Sequence, residues 1–167
     1  MLSHLRHGPV SEPAGAVDAA TVQALAERLD SAARRRLGRS LAVRHVAAGG
    51  CNGCELETQM LDSAIYDLQR FGLTFVASPR HADVLFVTGP VTRTMREALA
   101  RTWAAMAEPK WVVAVGDCAI DGGVFKGSYA IAGGVDGSLE VDLIIRGCPP
   151  TPAQMLEGLR ALVEANA

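Results

Sequence analysis

Apolar positions along this chain follow two rhythms. In "VQALAERLDSAARRRL" they recur every three to four residues, and Val22, Leu25, Ala26, Leu29 and Ala33 form one stripe. This predicts a helix from Asp18 to Leu37, with Asp18 as N-cap and Gly38 as the stop. Beyond it the rhythm changes to short, nearly unbroken apolar runs. "LAVRHVAA" (Leu41–Ala48), "LTFVAS", "DVLFVTG", "WVVAVG" (Trp111–Gly116) and "VDLIIRG" (Val141–Gly147) read as strands. "ELETQMLDSAIYDLQRFG", "TRTMREALARTWAAM" and "TPAQMLEGLRALVEA" read as helices, the first ending near Gly72. This alternation predicts an α/β fold, a parallel sheet with helices on both faces. The first fifteen or so residues lack such a pattern and read as a mobile tail. Residues 1–40 are therefore expected to be a tail and an amphipathic helical extension, and 41–167 the main domain.

Composition narrows the function. With 167 residues, 49% hydrophobic and 20% charged, the chain can bury one core. A net charge of -2 supplies no bulk electrostatic argument for a nucleic-acid partner. The charge is uneven, however: residues 1–50 hold seven Lys/Arg against four Asp/Glu. Arg34, Arg35 and Arg36 fall in the last turn of the first helix, where cations suit the helix dipole. A docking role toward a partner or an anionic membrane surface is the sharper alternative. No apolar run approaches the roughly 20 residues needed to cross a bilayer. "MLSHLRHGPVSEPAG" lacks the apolar core of a secretory signal. The expectation is an intracellular chain whose four cysteines serve metal or redox chemistry.

The cysteines are not scattered. Cys51 and Cys54 follow the strand "LAVRHVAA", Cys118 follows "WVVAV", and Cys148 follows "VDLIIRG". Each lies just past the carboxyl end of an expected parallel strand, the edge where open α/β sheets place ligands. Four thiolates suit zinc or an iron–sulfur cluster. There is one CxxC, then 63 intervening residues, then a gap of 29. Structural zinc sites are commonly built from two short CxxC knuckles, so this spread favours a cluster seated on a folded domain. Gly49, Gly50, Gly53, Gly116 and Gly147 adjoin the cysteines and would let backbone approach a bulky group.

"GCNGCELE", "YDLQRFGLTFVASPRHADVLFVTGPVTRTMREAL", "PKWVVAVGDCAIDGGVF" and "GCPPTP" together resemble one family. It comprises the 20 kDa (B-type) subunits of respiratory complex I and the small subunits of membrane-bound nickel–iron hydrogenases. The likeness runs from about Leu41 to the C-terminus. It implies a flavodoxin-like three-layer sandwich holding one 4Fe–4S cluster, with Cys51, Cys54, Cys118 and Cys148 as ligands. It further implies an electron-transfer subunit, peripheral on the cytoplasmic side of the cell membrane. The implied partners are a large subunit (nickel–iron or complex I 49 kDa-like), a ferredoxin-like iron–sulfur subunit and membrane subunits.

Within the family, the respiratory branch usually has adjacent cysteines in the first motif, whereas this chain has "CNGC". That favours the hydrogenase-like branch, formate hydrogenlyase-type or energy-converting. Passing electrons to quinone as a B-type subunit is the alternative, and a zinc-stabilised domain without redox activity is a further one. Arg146 departs from the apolar or proline residue expected before "GCPP".

Outside the cysteines, Glu57 is a candidate for a proton route at a subunit interface, because carboxylates beside redox centres can take up protons. Glu55 is expected to cap the helix start. Asp117 is expected to orient backbone beside Cys118, Asp62 and Tyr66 to share a polar contact one helical turn apart, and His45 to be a satisfied core or interface histidine.

Overall fold

The computed structural model describes residues 18–166, so the expected tail lies outside the described residues. Helix α1 (Ala19–Leu37) starts where Asp18 accepts a hydrogen bond from the Ala20 N–H, and it ends on Gly38 in the left-handed conformation. The remaining elements alternate as expected. They are β1 (Leu41–Ala47), α2 (Gly53–Met60), β2 (Leu73–Phe75), β3 (Val84–Thr88), β4 (Val91–Thr92), α3 (Arg93–Ala104), β5 (Trp111–Val115), α4 (Asp117–Asp121), β6 (Ile131–Gly133), β7 (Leu143–Ile145) and α5 (Pro152–Ala165).

Five strands form one sheet in the order β2-β1-β3-β5-β7, and every pairing within it is parallel. Side chains alternate between its faces as strand geometry requires. Val84 and Phe86 of β3, with Trp111, Val113 and Val115 of β5, join the apolar cluster beneath α1 and α5. Leu85, Val87, Val112 and Ala114 join a second cluster that includes Leu99 of α3. The result is a three-layer α/β sandwich of flavodoxin-like strand order. Val22, Ala26, Leu29, Ala32 and Ala33 of α1 share the first cluster with Met155, Leu156 and Leu159 of α5.

Two local departures have physical reasons. The helix after the CxxC was expected to run to Gly72, but α2 stops at Met60. Continued helical spacing would bury Ile65 one turn after Leu61. Instead Ile65 is 72% exposed, and Tyr66 and Leu68 are buried with Leu61. Ser63 supports the break, its hydroxyl donating to the Met60 carbonyl at 2.7 Å. The expected Asp62–Tyr66 pairing is lost with the helix, and Asp62 instead accepts from Gln69 Nε2 at 2.6 Å. The second departure is a small antiparallel pair, β4 with β6, which no run of apolar residues announced.

Because all five strands point the same way, their carboxyl ends share one rim. The chain leaves β1 toward β2 on one side and returns to β3 on the other, so the strand order reverses between β1 and β3. A crevice opens at such a reversal. Cys51 and Cys54 follow β1 at that place.

Candidate functional site

Three loops from this rim bring the four cysteines to one cavity of about 70 Å³, lined by Cys51, Cys54, Cys118 and Cys148 with Glu55 and Asp117. Cys51 precedes α2 and Cys54 lies in its first turn. Cys118 is in α4 directly after β5. Cys148 follows β7. Cys51 and Cys148 are exposed, Cys54 half-buried and Cys118 buried, and all four are free thiols. Among the described residues, no group of three or more His, Cys, Asp or Glu side chains is arranged as a ready-made metal-ion site.

Backbone ties fix the loops to one another. The Asp117 N–H donates to the Gly147 carbonyl at 2.9 Å, and the Gly147 N–H donates to Asp117 Oδ1 at 3.1 Å. Asp117 thus clamps the Cys118 loop to the Cys148 loop, the backbone-orienting role expected of it. Glycine is required where sulfur meets backbone. A Cβ on Gly116, whose φ is +84°, would stand 2.6 Å from Cys54 Sγ, and one on Gly123 would stand 2.8 Å from Cys118 Sγ. A real Cβ does not approach so closely, so these positions keep the thiols in place by lacking a side chain.

The electrostatics hold the inner thiols in their protonated form. Burial pushes the Cys54 thiol up to about 12, and Glu55 and the other three cysteines push it the same way. Burial also raises Cys118, opposed by a hydrogen bond from the Val124 backbone. Thiols so placed are reluctant to ionise alone, and a metal must displace their protons to bind. The donor set fits an iron–sulfur centre on its own chemistry: four soft sulfurs on one cavity, cradled by glycines that a methyl group would block.

Glu57 is half-buried and is not among the residues lining the thiol cavity. Glu55 is, and it is only 7% exposed. No side chain caps the start of α2, where Asn52 stands in the left-handed conformation. The Glu55 carboxylate instead accepts a hydrogen bond from Thr88 Oγ1 at 3.0 Å. Thr88 Oγ1 is in turn 2.9 Å from His45 Nε2. A hydroxyl has one hydrogen, so while Thr88 donates to Glu55 it accepts from His45. His45 is therefore partnered as expected, and burial lowers its pKa, keeping the ring neutral at pH 7. Sequence reading missed this chain of three. Its one legible sign is the polar Thr88 closing an otherwise apolar strand. Arg146 is exposed, as are Arg80 and His81.

Residues 51–162 match the family described as NADH ubiquinone oxidoreductase, 20 kDa subunit. Over 124 residues the chain is 46% identical to formate hydrogenlyase subunit 7 of Escherichia coli (strain K12), a match covering 74% of this chain and 49% of that protein. The chain therefore spans about half the length of that relative. Among solved structures it is similar to a chain of the membrane-bound sulfane sulfur reductase, an archaeal respiratory membrane complex. There the identity is 34% and the TM-score 0.68, covering 84% of this chain and 76% of that one. A chain of an NAD+-reducing [NiFe]-hydrogenase shares the fold, with a TM-score of 0.59 at 21% identity, covering 77% of this chain and 94% of that one.

Proposed function

The chain belongs to the NADH ubiquinone oxidoreductase 20 kDa subunit family, and we propose that it is an electron-transfer subunit carrying one 4Fe–4S cluster in a membrane-bound nickel–iron hydrogenase-like complex. The complex would be of formate hydrogenlyase or energy-converting type. Cys51, Cys54, Cys118 and Cys148 are the proposed ligands. The observation that carries the reading is that these cysteines, drawn from three separate loops, line one glycine-cradled cavity.

When bound, such a cluster supplies one-electron transfer and no bond-making chemistry. The chain's own part is to hold and insulate it. Gly116 and Gly123 keep room for the sulfurs of Cys54 and Cys118, and Asp117 holds two ligand loops in register. Residues 41–167 form the proposed cluster-binding unit, with α1 as an N-terminal extension. Among the described residues no helix is long and apolar enough to cross a membrane. Peripheral attachment on the cytoplasmic face is proposed, through a large subunit, a ferredoxin-like subunit and membrane subunits. The CNGC motif favours the hydrogenase-like branch. The family's own description, a subunit of a ubiquinone-reducing complex, keeps quinone reduction as the second reading.

Anaerobic purification followed by metal and sulfide analysis tests the reading. The expected result is brown protein with about four iron and four sulfide per chain and a paramagnetic signal on reduction. Colourless protein with one zinc would end it. For the proposed proton route, Glu57→Gln is expected to lower turnover of the assembled complex and displace its pH profile. An unaltered profile and rate would remove Glu57 from the route.

A further inference from the structure

On the same side of the sheet as α2 lies a second cavity, of about 330 Å³. It is lined by Arg44 and His45 of β1, Gln59 and Asp62 at the end of α2, and Phe75 and Val76 at the end of β2. Arg44 is its anomaly. The Nε atom of Arg44 is buried and has no hydrogen-bond partner. Among the described residues its guanidinium makes no ion pair. Burial keeps the adjacent His45 neutral, and that ring is engaged with Thr88. Asp62, the carboxylate on the wall, is held by Gln69 and is not paired with Arg44.

Arg44 is half-buried, so its Nε is shut from water without a partner while the guanidinium keeps donors free for an anion entering the cavity. The apolar wall of Phe75 and Val76 thins the water on one side, which strengthens any charge brought into the cavity. Planar, forked donors suit a carboxylate. We propose that this cavity receives the carboxylate of an acidic side chain from a partner subunit. The proposal rests on the reading of this chain as one subunit of a larger complex. A free small carboxylate would fill little of a cavity of about 330 Å³. Leu56, one turn before the cavity-lining Gln59 on α2, is 54% exposed and offers a partner subunit an apolar contact.

Two experiments on the complete complex decide it. In complexes isolated through a tag on another subunit, Arg44→Gln is expected to lower the amount of this chain retained by about tenfold or more, and Arg44→Lys by less. Independently, a photo-crosslinking residue placed at Gln59 in an otherwise unaltered chain should mark a partner peptide containing Asp or Glu. The second experiment stands even where Arg44→Gln fails to fold. Retention of Arg44→Gln at wild-type stoichiometry would overturn the proposal. So would crosslinks confined to this chain or to partner segments without acidic residues. Protection of Arg44 from phenylglyoxal by millimolar acetate in the intact complex, showing a site open to free carboxylates, would also overturn it. Stoichiometry and crosslinks are read on protein, not iron, so absence of iron would defeat the cluster reading and leave this test intact.

Discussion

Gly116→Ala is expected to strip most of the iron from the protein while every cysteine remains. The added Cβ would stand 2.6 Å from Cys54 Sγ, at a residue whose φ of +84° already disfavours a side chain. The clash falls on a sulfur proposed as ligand, so relief must come from moving Cys54 out of line or shifting the β5 end. Changes of this kind next to metal ligands typically cost about 10–100-fold in metal affinity. Iron per chain after anaerobic gel filtration measures the effect directly. Gly127→Ala is the control, because Gly127 also has positive φ but a Cβ there meets nothing within 4 Å. Equal iron in Gly116→Ala and wild type would show that the thiols around this cavity are not the ligands.

The second large effect falls at the opposite rim of the sheet. Asp83, just before β3, is 2% exposed. Its two oxygens take both terminal nitrogens of Arg39, at 2.9 and 2.6 Å. Oδ2 also accepts from the Ala42 N–H at 2.9 Å. Its backbone continues the ladder on both sides, the N–H donating to Ala42 O and the carbonyl accepting from Trp111. Asp83→Ala leaves a buried N–H without an acceptor and removes a bidentate ion pair. The expected loss is about 1–3 kcal/mol of stability, the scale of a buried donor left without an acceptor, since the 54%-exposed Arg39 returns to water. Asp83→Asn, which keeps an acceptor for Ala42, should lose less. Arg39→Ala leaves the 2%-exposed Asp83 carboxylate with the Ala42 N–H as its remaining side-chain partner, and should lose a comparable amount. Urea unfolding of the three variants measures the losses, and a loss in Asp83→Ala no greater than in Asp83→Asn would refute this account.

These two residues were not equally readable. Gly116 stood near a candidate ligand in the sequence, which marked it as a place where backbone approaches a bulky group, although the sulfur it makes room for belongs to Cys54 on another loop. Asp83 opens the expected strand "DVLFVTG" as its one charged residue. Its role depends on a guanidinium 44 residues earlier, and no local pattern announces a contact of that range.

The sequence alone determined the layer plan. Apolar runs of strand length alternating with helical stripes admit few arrangements other than a parallel sheet covered on both faces, because each apolar face must be buried. Cap chemistry marked the ends of α1 without ambiguity. The placement of all four cysteines after strands followed too, since parallel strands share a carboxyl rim. Only the tertiary structure decided what depends on distance through space. It ended α2 at Met60, because burying Tyr66 and Leu68 outweighed helical continuation. It turned Glu55 from a helix cap into the acceptor of Thr88. It also left Arg44 Nε buried with no hydrogen-bond partner among the described residues. Period and capping act among residues a few positions apart, whereas pairing, burial of charge and cavity shape are settled only once distant segments meet.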